Sequence, residues 1–207
     1  MGICEITKDS YDLDSFAQFN QDVWVMGVIK TPGFFLEFGA FHPVDLSNTY
    51  LLEKNGWRGI SVDPFPSGDW GIRPNTTFVK TVVTRDGRDI DFVKADELGG
   101  IEEHVGCHRN KIIEKPRVRL PSKTPTQILD KYNAPTDIDY ISLDTEGSEL
   151  EILQAFPFDK YKVKTLTVEH NYEEPKRTMI KNLLSTKGFI HVESNILDDC
   201  FVHELIY

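Results

Sequence analysis

The sequence predicts an α/β fold with a mainly parallel sheet, helices on both of its faces and an antiparallel strand near the C-terminus. Short apolar runs alternate with helix-like segments over most of the 207 residues. This length and the 40% hydrophobic content suit one sizeable core, so we expect residues 1–207 to form a single domain.

Turn-forming residues set the bounds of each predicted element. The first strand follows Thr31-Pro32-Gly33, the second stops at Pro64, and glycines end two of the helices. The predicted strands are 34–38, 59–63, 77–83, 138–143, 163–168, 189–192 and 201–206. The predicted helices are 11–29, which would cover the sheet, 47–55, 148–155 and 173–187.

One region, 95–123, has little periodicity. Stretches of this length without clear structure are usually lids or binding loops, so we expect a variable lid or acceptor-binding loop here. The region is basic, with Arg109, Lys111, Lys115, Arg117, Arg119 and Lys123. These side chains either recognise an anionic acceptor, such as a phosphorylated or uronic sugar, or form a solvated surface, which the acidic chain favours.

Charge and composition exclude several classes of function. A formal net charge of −10 argues against non-specific nucleic-acid binding. No apolar run reaches the roughly 18 residues that a membrane span needs, and the N-terminus lacks the apolar core of a signal peptide. The three cysteines, Cys4, Cys107 and Cys200, are too few and too widely spaced for a disulfide framework. We therefore expect a cytoplasmic protein without a membrane or nucleic-acid partner.

A candidate ligand site follows the first two strands. Gly39 and Ala40 allow a tight turn close to a ligand, and Asp63 follows 24 positions later, where nucleotide-binding sheets place an acid on a ribose diol. The loop lacks the further glycines of G-x-G-x-x-G, and Pro43 removes an N–H donor. A cofactor without phosphate, such as S-adenosylmethionine (SAM), fits better, and Glu37 would face its positive charge. The alternative is a simple turn between solvated strand ends.

Several ordered blocks of the sequence closely resemble the FkbM-like family of SAM-dependent methyltransferases. The blocks are 33–41, 46–53, 56–64, 138–153 and 167–171, preceded by a variant of a leading family element at 17–22. The resemblance runs from about residue 15 to the C-terminus, with 95–123 unmatched. It implies that the whole chain is one FkbM-like domain with a Rossmann-like methyltransferase fold.

The resemblance also implies a set of cofactor contacts. SAM would be bound by the turn after the first strand, by the start of the next helix and by the end of the second strand, with Asp63 on the ribose. The expected cofactor-binding residues are Glu37, Phe38, Gly39, Ala40, Phe41, Ser47, Asn48, Asp63, Pro64, Phe65 and Asp144. Phe65 replaces the asparagine usual in the family, and we expect it to pack on adenine.

The reacting end is expected after the fourth and fifth strands. Asp144 and Glu146 lie two positions apart and would bind the SAM ammonium, hold a hydroxyl or share a divalent cation, or simply cap the next helix. His170 is the predicted general base, next to Glu169. No ligand spacing supports a metal at Asp144, Glu146 and Glu169, so none is predicted.

The leading hypothesis is SAM-dependent O-methylation of a sugar or other small molecule, which would make a small-molecule or glycan acceptor the partner. The O-methyl chemistry is implied by the resemblance. The alternatives are an NAD-dependent oxidoreductase on a similar sheet and a non-catalytic domain that binds SAM or another nucleoside.

Overall fold

A seven-stranded sheet lies at the centre of the computed structural model, which describes residues 14–105, 109–112 and 114–206. The strands of the described residues are, in chain order, β1 Phe34–Phe38, β2 Arg58–Val62, β3 Thr76–Val79, β4 Val82–Val83, β5 Ile90–Val93, β6 Gly100–Ile101, β7 Arg117–Leu120, β8 Ser122–Lys123, β9 Asp137–Leu143, β10 Lys162–Glu169, β11 Phe189–Ser194 and β12 Asp198–His203.

Six α-helices and two short 3₁₀ helices accompany these strands in the described part of the chain. The helices are α1 Gln21–Val28, α2 Tyr50–Lys54, α3 Arg109–Ile112, α4 Pro125–Lys131, α5 Glu149–Ala155 and α6 Lys176–Thr186, with 3₁₀ turns at Trp70–Ile72 and Asp96–Leu98. None of these helices is both long enough and apolar enough to cross a membrane.

The order of the central sheet is β11-β12-β10-β9-β1-β2-β3. Strands β3, β2, β1, β9 and β10 are parallel, and β12 pairs antiparallel with both β10 and β11. The predicted fold class is therefore confirmed. Because the chain proceeds outward in opposite directions from β1 and β9, the switch point of the sheet lies between the carboxyl ends of these two strands.

Alternating side chains of β1 enter cores on opposite faces of the sheet. Phe34, Leu36 and Phe38 belong to the larger core, which includes apolar residues of α4, α5 and α6. Phe35 belongs to the second core, with Trp24 of α1 and Leu52 of α2. The two cores hold β1 rigidly between layers, so the turn that follows it is fixed in space.

Region 95–123 contains more regular structure than its sequence predicts. Strands β6, β5 and β7 form a small antiparallel sheet, and β4 pairs with β8. These strands have two to four residues, too few for a periodic signal, and their pairing depends on distant segments. The side chains of Arg117 and Arg119 bind Glu102 and Asp91 across this sheet, as expected for a solvated basic surface.

Two predicted elements differ in extent from those observed. The leading helix begins at Gln21 rather than Tyr11, because the Asp22 carboxylate accepts hydrogen bonds from Ser15 Oγ (2.6 Å) and Phe16 N (2.8 Å) and holds the preceding chain in a loop. The predicted strand 77–83 is split into β3, which pairs with β2 in the central sheet, and β4, which pairs with β8 outside it.

The remaining differences are shifts of helix and strand ends. The predicted helices 47–55 and 173–187 begin later, at α2 and α6, and the last strand begins earlier, at Asp198. Residues 11–13 of the predicted leading helix, Cys4 and Cys107 lie outside the described residues, whereas Cys200 is buried and free.

Asp199, at the start of β12, joins the sheet edge to α6. Its buried carboxylate accepts hydrogen bonds from Arg177 Nε (2.8 Å), Arg177 Nη2 (2.7 Å) and Ser194 Oγ (2.6 Å). Burial raises the pKa of Asp199, but the hydrogen bonds from Arg177 and Ser194 outweigh that effect and hold it well below its usual range. The carboxylate therefore stabilises the fold in its ionised form.

We expect Asp199→Asn to lower the free energy of unfolding at pH 7 by about 2–3 kcal/mol, because a buried ion pair loses one partner. Since the folded-state pKa is depressed, this stabilisation is present above the unfolded pKa near 4 and is lost as the pH falls through the folded pKa. Urea unfolding should thus show the wild type and the variant converging below about pH 4. The control Asp91→Asn removes an exposed pair with Arg119 and should cost less than about 1 kcal/mol.

Candidate active site

A cavity of about 380 Å³ opens at the carboxyl ends of the central strands. This volume lies within the range of small-molecule sites, and the position matches the ligand crevice of parallel sheets. Most of its lining residues fall into four groups, to which Phe92 of β5 is added: those after β1 and β2, those after β3, the 95–101 segment and those after β9 and β10. They include Gly39, Ala40, Phe41, Asn48, Asp63, Pro64, Phe65, Val82, Phe92, Asp96, Glu97, Asp144, Glu146, Glu169 and Asn171.

The turn after β1 forms one wall of the cavity. Gly39 has φ +86° and donates a backbone hydrogen bond to Val62 O of β2 (2.9 Å). A Cβ at this position would lie 1.5 Å from the carbonyl oxygen of Asp144, which follows β9. Only glycine therefore permits the ends of β1 and β9 to approach this closely. Ala40 and Phe41 continue the turn and also line the cavity.

Asp63 holds the opposite side of this turn. Its carboxylate accepts hydrogen bonds from Phe41 N (3.0 Å) and Phe65 N (2.7 Å). Burial raises the pKa of Asp63, and these two backbone donors oppose that shift. A carboxylate offers about four acceptor positions, so two remain for a ligand that enters the cavity.

An apolar surface lies beside Asp63. The rings of Phe65 and Phe92 pack with centroids 5.4 Å apart, and Val82 lies in the same small core. Pro64, Phe65, Val82 and Phe92 all line the cavity. This end of the cavity therefore offers an apolar wall next to a fixed carboxylate.

Glu37 does not line the cavity, contrary to the prediction that it faces a charged ligand. Its carboxylate is buried on the second-core face of β1 and accepts hydrogen bonds from Ser61 Oγ (2.6 Å) and Thr49 Oγ1 (2.8 Å). Burial raises its pKa, and the Arg73 guanidinium opposes this shift. Arg73 in turn donates to Thr49 and forms an ion pair with Glu53. Glu37 is thus part of a buried polar network that supports the turn from below.

Of the other predicted contacts near this turn, only Asn48 lines the cavity. Phe38 is fully buried in the larger core. Ser47 is buried, and its Oγ accepts from Tyr50 N (3.1 Å) at the start of α2. Asn48 donates from Nδ2 to Ser142 Oγ (2.9 Å), while its Oδ1 is buried without a hydrogen-bond partner among the described residues.

Three carboxyl groups, which we call the acid trio, line the opposite end of the cavity: Asp144, Glu146 and Glu169. One oxygen from each lies within 4.8 Å of the others. Burial, reinforced by neighbouring carboxylates, raises the pKa of all three, that of Glu146 to about 7. Glu169 therefore joins the two predicted site acids, Asp144 and Glu146. It was not among the predicted site residues, although its position at the end of the fifth predicted strand was a usable signal.

Helix capping does not explain Asp144 and Glu146. The described residues show no side-chain cap on α5. The carboxylate of Glu149 instead holds the preceding turn, because it accepts hydrogen bonds from Thr145 N (3.0 Å), Thr145 Oγ1 (2.8 Å) and Gly147 N (3.0 Å). Glu146 itself has φ +55°, a conformation that a non-glycine residue adopts at a cost of about 1–3 kcal/mol. The turn is thus built around Glu149, and it directs the two preceding acids to the cavity.

His170, the predicted general base, is not among the residues that line the cavity. It is 3% exposed, and its Nδ1 accepts a hydrogen bond from Tyr172 N (3.0 Å). Burial, reinforced by Arg177, lowers its pKa. The structure therefore separates His170 from the acids with which the sequence groups it.

Two parts of the cavity wall were not predicted from the sequence. Residues 81–83 follow β3, and their position at the end of a parallel strand was a usable signal. Phe92 belongs to β5, which has no signal of its own in the sequence. The acidic residues Asp96 and Glu97 come from the predicted lid region, whereas its described basic side chains Lys115, Arg117, Arg119 and Lys123 are not among the lining residues.

We expect Gly39→Ala to destabilise the fold by more than about 2 kcal/mol and to weaken ligand binding in the cavity, because its Cβ would collide with backbone of Asp144 and push the ends of β1 and β9 apart. Thermal unfolding measures the first effect and ligand titration the second. Gly71→Ala is the matched control: Gly71 has no positive φ, and its nearest neighbour is the flexible Asp69 carboxylate at 3.0 Å. Equal stability of the two variants would contradict the importance of this close approach.

Comparison with protein families gave one match. The family described as "Methyltransferase FkbM domain" matches residues 37–193. This range includes the turn after β1, Asp63 and the acid trio, which together surround the cavity. Comparison with curated proteins gave no match, and comparison with solved structures gave none. Because the matched range covers most of the chain, this protein belongs to the FkbM methyltransferase family.

Proposed function

We propose that this methyltransferase uses SAM to methylate a hydroxyl group of a sugar or another small molecule. The observation that carries the proposal is the meeting of the Gly39 turn, the Asp63 carboxylate and the acid trio in one cavity at the switch point of the sheet. The O-methyl chemistry and the class of acceptor come from the family resemblance, and the cavity supplies the features that such a reaction needs.

The residues present fit SAM in shape and in charge. Asp63 has acceptor positions left for a ribose diol, and the apolar wall with Phe65 suits an adenine ring. Seven carboxyl groups line the cavity, and none of the lining residues described is lysine, arginine or histidine. A cofactor with a sulfonium, an ammonium and one carboxylate is net positive, so this electrostatic environment favours it.

The chain's own residues would divide the work between the two ends of the cavity. SAM supplies an electrophilic methyl group, whose bond to sulfur breaks as the bond to the acceptor oxygen forms. The Gly39 turn and Asp63 would hold the nucleoside at one end and so fix the direction of transfer. At the other end a carboxylate of Asp144, Glu146 or Glu169 would accept the proton of the acceptor hydroxyl as its oxygen bonds to the methyl carbon.

The oxidoreductase alternative predicts dinucleotide binding. A pyrophosphate needs free backbone N–H groups and tolerates few carboxylates, whereas this cavity is acidic and its loop contains Pro43. We expect calorimetry to detect binding of SAM and of its demethylated product but not of NAD. Binding of NAD alone would overturn the proposal.

Asp63→Ala should weaken SAM binding by about 1–3 kcal/mol, because buried hydrogen bonds to the ribose are lost. Calorimetry on the folded variant measures this loss, and Asp63→Asn, which retains the size and one acceptor oxygen, should lose less. Asp69→Ala is the matched control, since the Asp69 carboxylate also accepts from a backbone N–H (Gly71) but does not line the cavity. Equal affinity of the wild type and Asp63→Ala would remove Asp63 from the site.

Catalysis is tested separately from binding. Incubation with methyl-labelled SAM and a panel of neutral sugars, phosphorylated sugars and small hydroxylated molecules should label at least one neutral acceptor. We expect anionic acceptors to be poor, because the acceptor end of the cavity is itself acidic. SAM binding without transfer to any acceptor would favour the non-catalytic alternative.

A further inference from the structure

A group of hydrogen-bond donors lies outside the cavity, where α6 packs on β11 and reaches the start of β12. Arg177 and Lys181 are one turn apart on α6, and His191 and Ser194 belong to β11. All four side chains contact the carboxylate of Asp199. We call Arg177, Lys181, His191 and Ser194 the donor cluster. None of the four is among the described residues that line the cavity.

One oxygen of Asp199 meets more donors than it can satisfy. Its Oδ1 lies 2.6 Å from Ser194 Oγ, 2.7 Å from Arg177 Nη2, 3.0 Å from His191 Nε2 and 3.2 Å from Lys181 Nζ. A carboxylate oxygen has about two acceptor positions, so Oδ1 is shared among four groups. Ser194 Oγ offers a further acceptor to Arg177 Nη2 (3.1 Å) and His191 Nε2 (3.0 Å), which leaves Lys181 with the longest contact.

Two of these groups keep N–H donors that no described residue uses. The Lys181 ammonium has three N–H donors, and Asp199 Oδ1 is the one described acceptor that lies within hydrogen-bonding distance of it. Arg177 donates through Nε and Nη2, and no described residue accepts a hydrogen bond from its Nη1. The side chains of Lys181 and His191 are 31% and 33% exposed, so a dissolved ligand can reach them.

The charges in contact with one another at the donor cluster do not balance. Arg177 and Lys181 carry two positive charges, whereas Asp199 supplies one negative charge. The exposed Glu174 acts on both cations but forms no ion pair with either of them in the described part of the chain. Burial lowers the pKa of His191 and Lys181 lowers it further, although Asp199 opposes both effects. Within contact distance, therefore, positive charge exceeds negative charge, in a chain whose net charge is −10.

We propose that the donor cluster binds a small oxyanion of the phosphate or sulfate class. Arginine and lysine bind such groups through charge-assisted hydrogen bonds. The oxygens of the anion would accept from Lys181 Nζ and Arg177 Nη1, and its charge would balance the second cation. Asp199 would not compete with the anion, because its carboxylate holds Arg177 through Nε and Nη2 and leaves Nη1 for the anion.

The anion site lies beside the cavity and does not rest on the proposed function. Leu197 lies between Ser194 and Asp199 in the hairpin of β11 and β12, accepts a hydrogen bond from His170 N (2.7 Å) and lines the cavity. An anion bound to α6 and β11 would therefore hold the base of this hairpin. Because the anion binds the folded chain and not the unfolded one, it should also raise the melting temperature.

The first experiment follows the His191 ring of the full chain by NMR through a pH titration, with and without sulfate. Sulfate should raise the pKa of His191 by about half a pH unit or more, because a nearby negative charge favours the protonated ring. Chloride at the same ionic strength should have no such effect, since it screens charges without occupying the site. The resonances of His203, at the opposite end of β12, should not respond to sulfate.

The second experiment measures the sulfate affinity of variants from the same resonances at one pH. Lys181→Gln should weaken sulfate binding at least about fivefold, and Lys181→Arg, which keeps the charge, should retain it. Lys187→Gln is the matched control, because Lys187 is an exposed lysine at the other end of the same helix, and this variant should bind sulfate as the wild type does. Thermal unfolding checks that each variant is folded.

Inorganic phosphate and a phosphate monoester, glycerol phosphate, separate the two sources of this chemistry. Tighter binding of the monoester would assign the site to a phosphorylated small molecule, and equal binding would assign it to the free anion. The proposal would be overturned if His191 did not respond to sulfate at tens of millimolar, or responded equally to chloride. Equal sulfate affinity of the wild type and Lys181→Gln would overturn it as well.

Discussion

The close approach of Gly39 to the carbonyl oxygen of Asp144 is the constraint on which the candidate site depends. Neighbouring parallel strands diverge through twist, but here the ends of β1 and β9 are joined directly, since Asp144 N also donates to Phe38 O (3.0 Å). As a result, the side of the sheet with Asp63 and the side with the acid trio share one cavity. The buried network of Glu37, Thr49 and Arg73 supports the same turn from the second-core face.

The sequence was sufficient to predict the strands of the central sheet, because these strands are long or bounded by clear turn residues. The run Phe34–Phe38 ends at glycine, and the second strand stops before Pro64; both signals are local. The small sheet of β5, β6 and β7 was missed because its stability comes from pairing between segments that are far apart in sequence. The start of α1 was misplaced because the Asp22 side chain competes for backbone donors that a longer helix would use.

The sequence predicted the position of the candidate site, but only some of the residues that line it. Gly39, Asp63, Asp144 and Glu146 line the cavity, as expected for residues at the carboxyl ends of strands. Glu37 does not, since alternation along β1 puts it on the same face as Phe35, beneath α2. That error was avoidable from the period of the strand. The position of the His170 side chain could not be predicted in this way, because it depends on how the chain turns after Glu169.

The 95–101 segment forms a wall of the cavity without belonging to the central sheet. It approaches the turn after β9 at Gly100, where a Cβ would lie 3.1 Å from Glu146 O, and it belongs to a small sheet whose strands have two to four residues. Substitutions in this wall can therefore reshape the space next to the acid trio while the parallel strands and their two cores stay intact. The architecture thus separates the parallel sheet, which positions the Gly39 turn, from the wall that shapes the space for an acceptor, so the choice of acceptor can diverge while the sheet is retained.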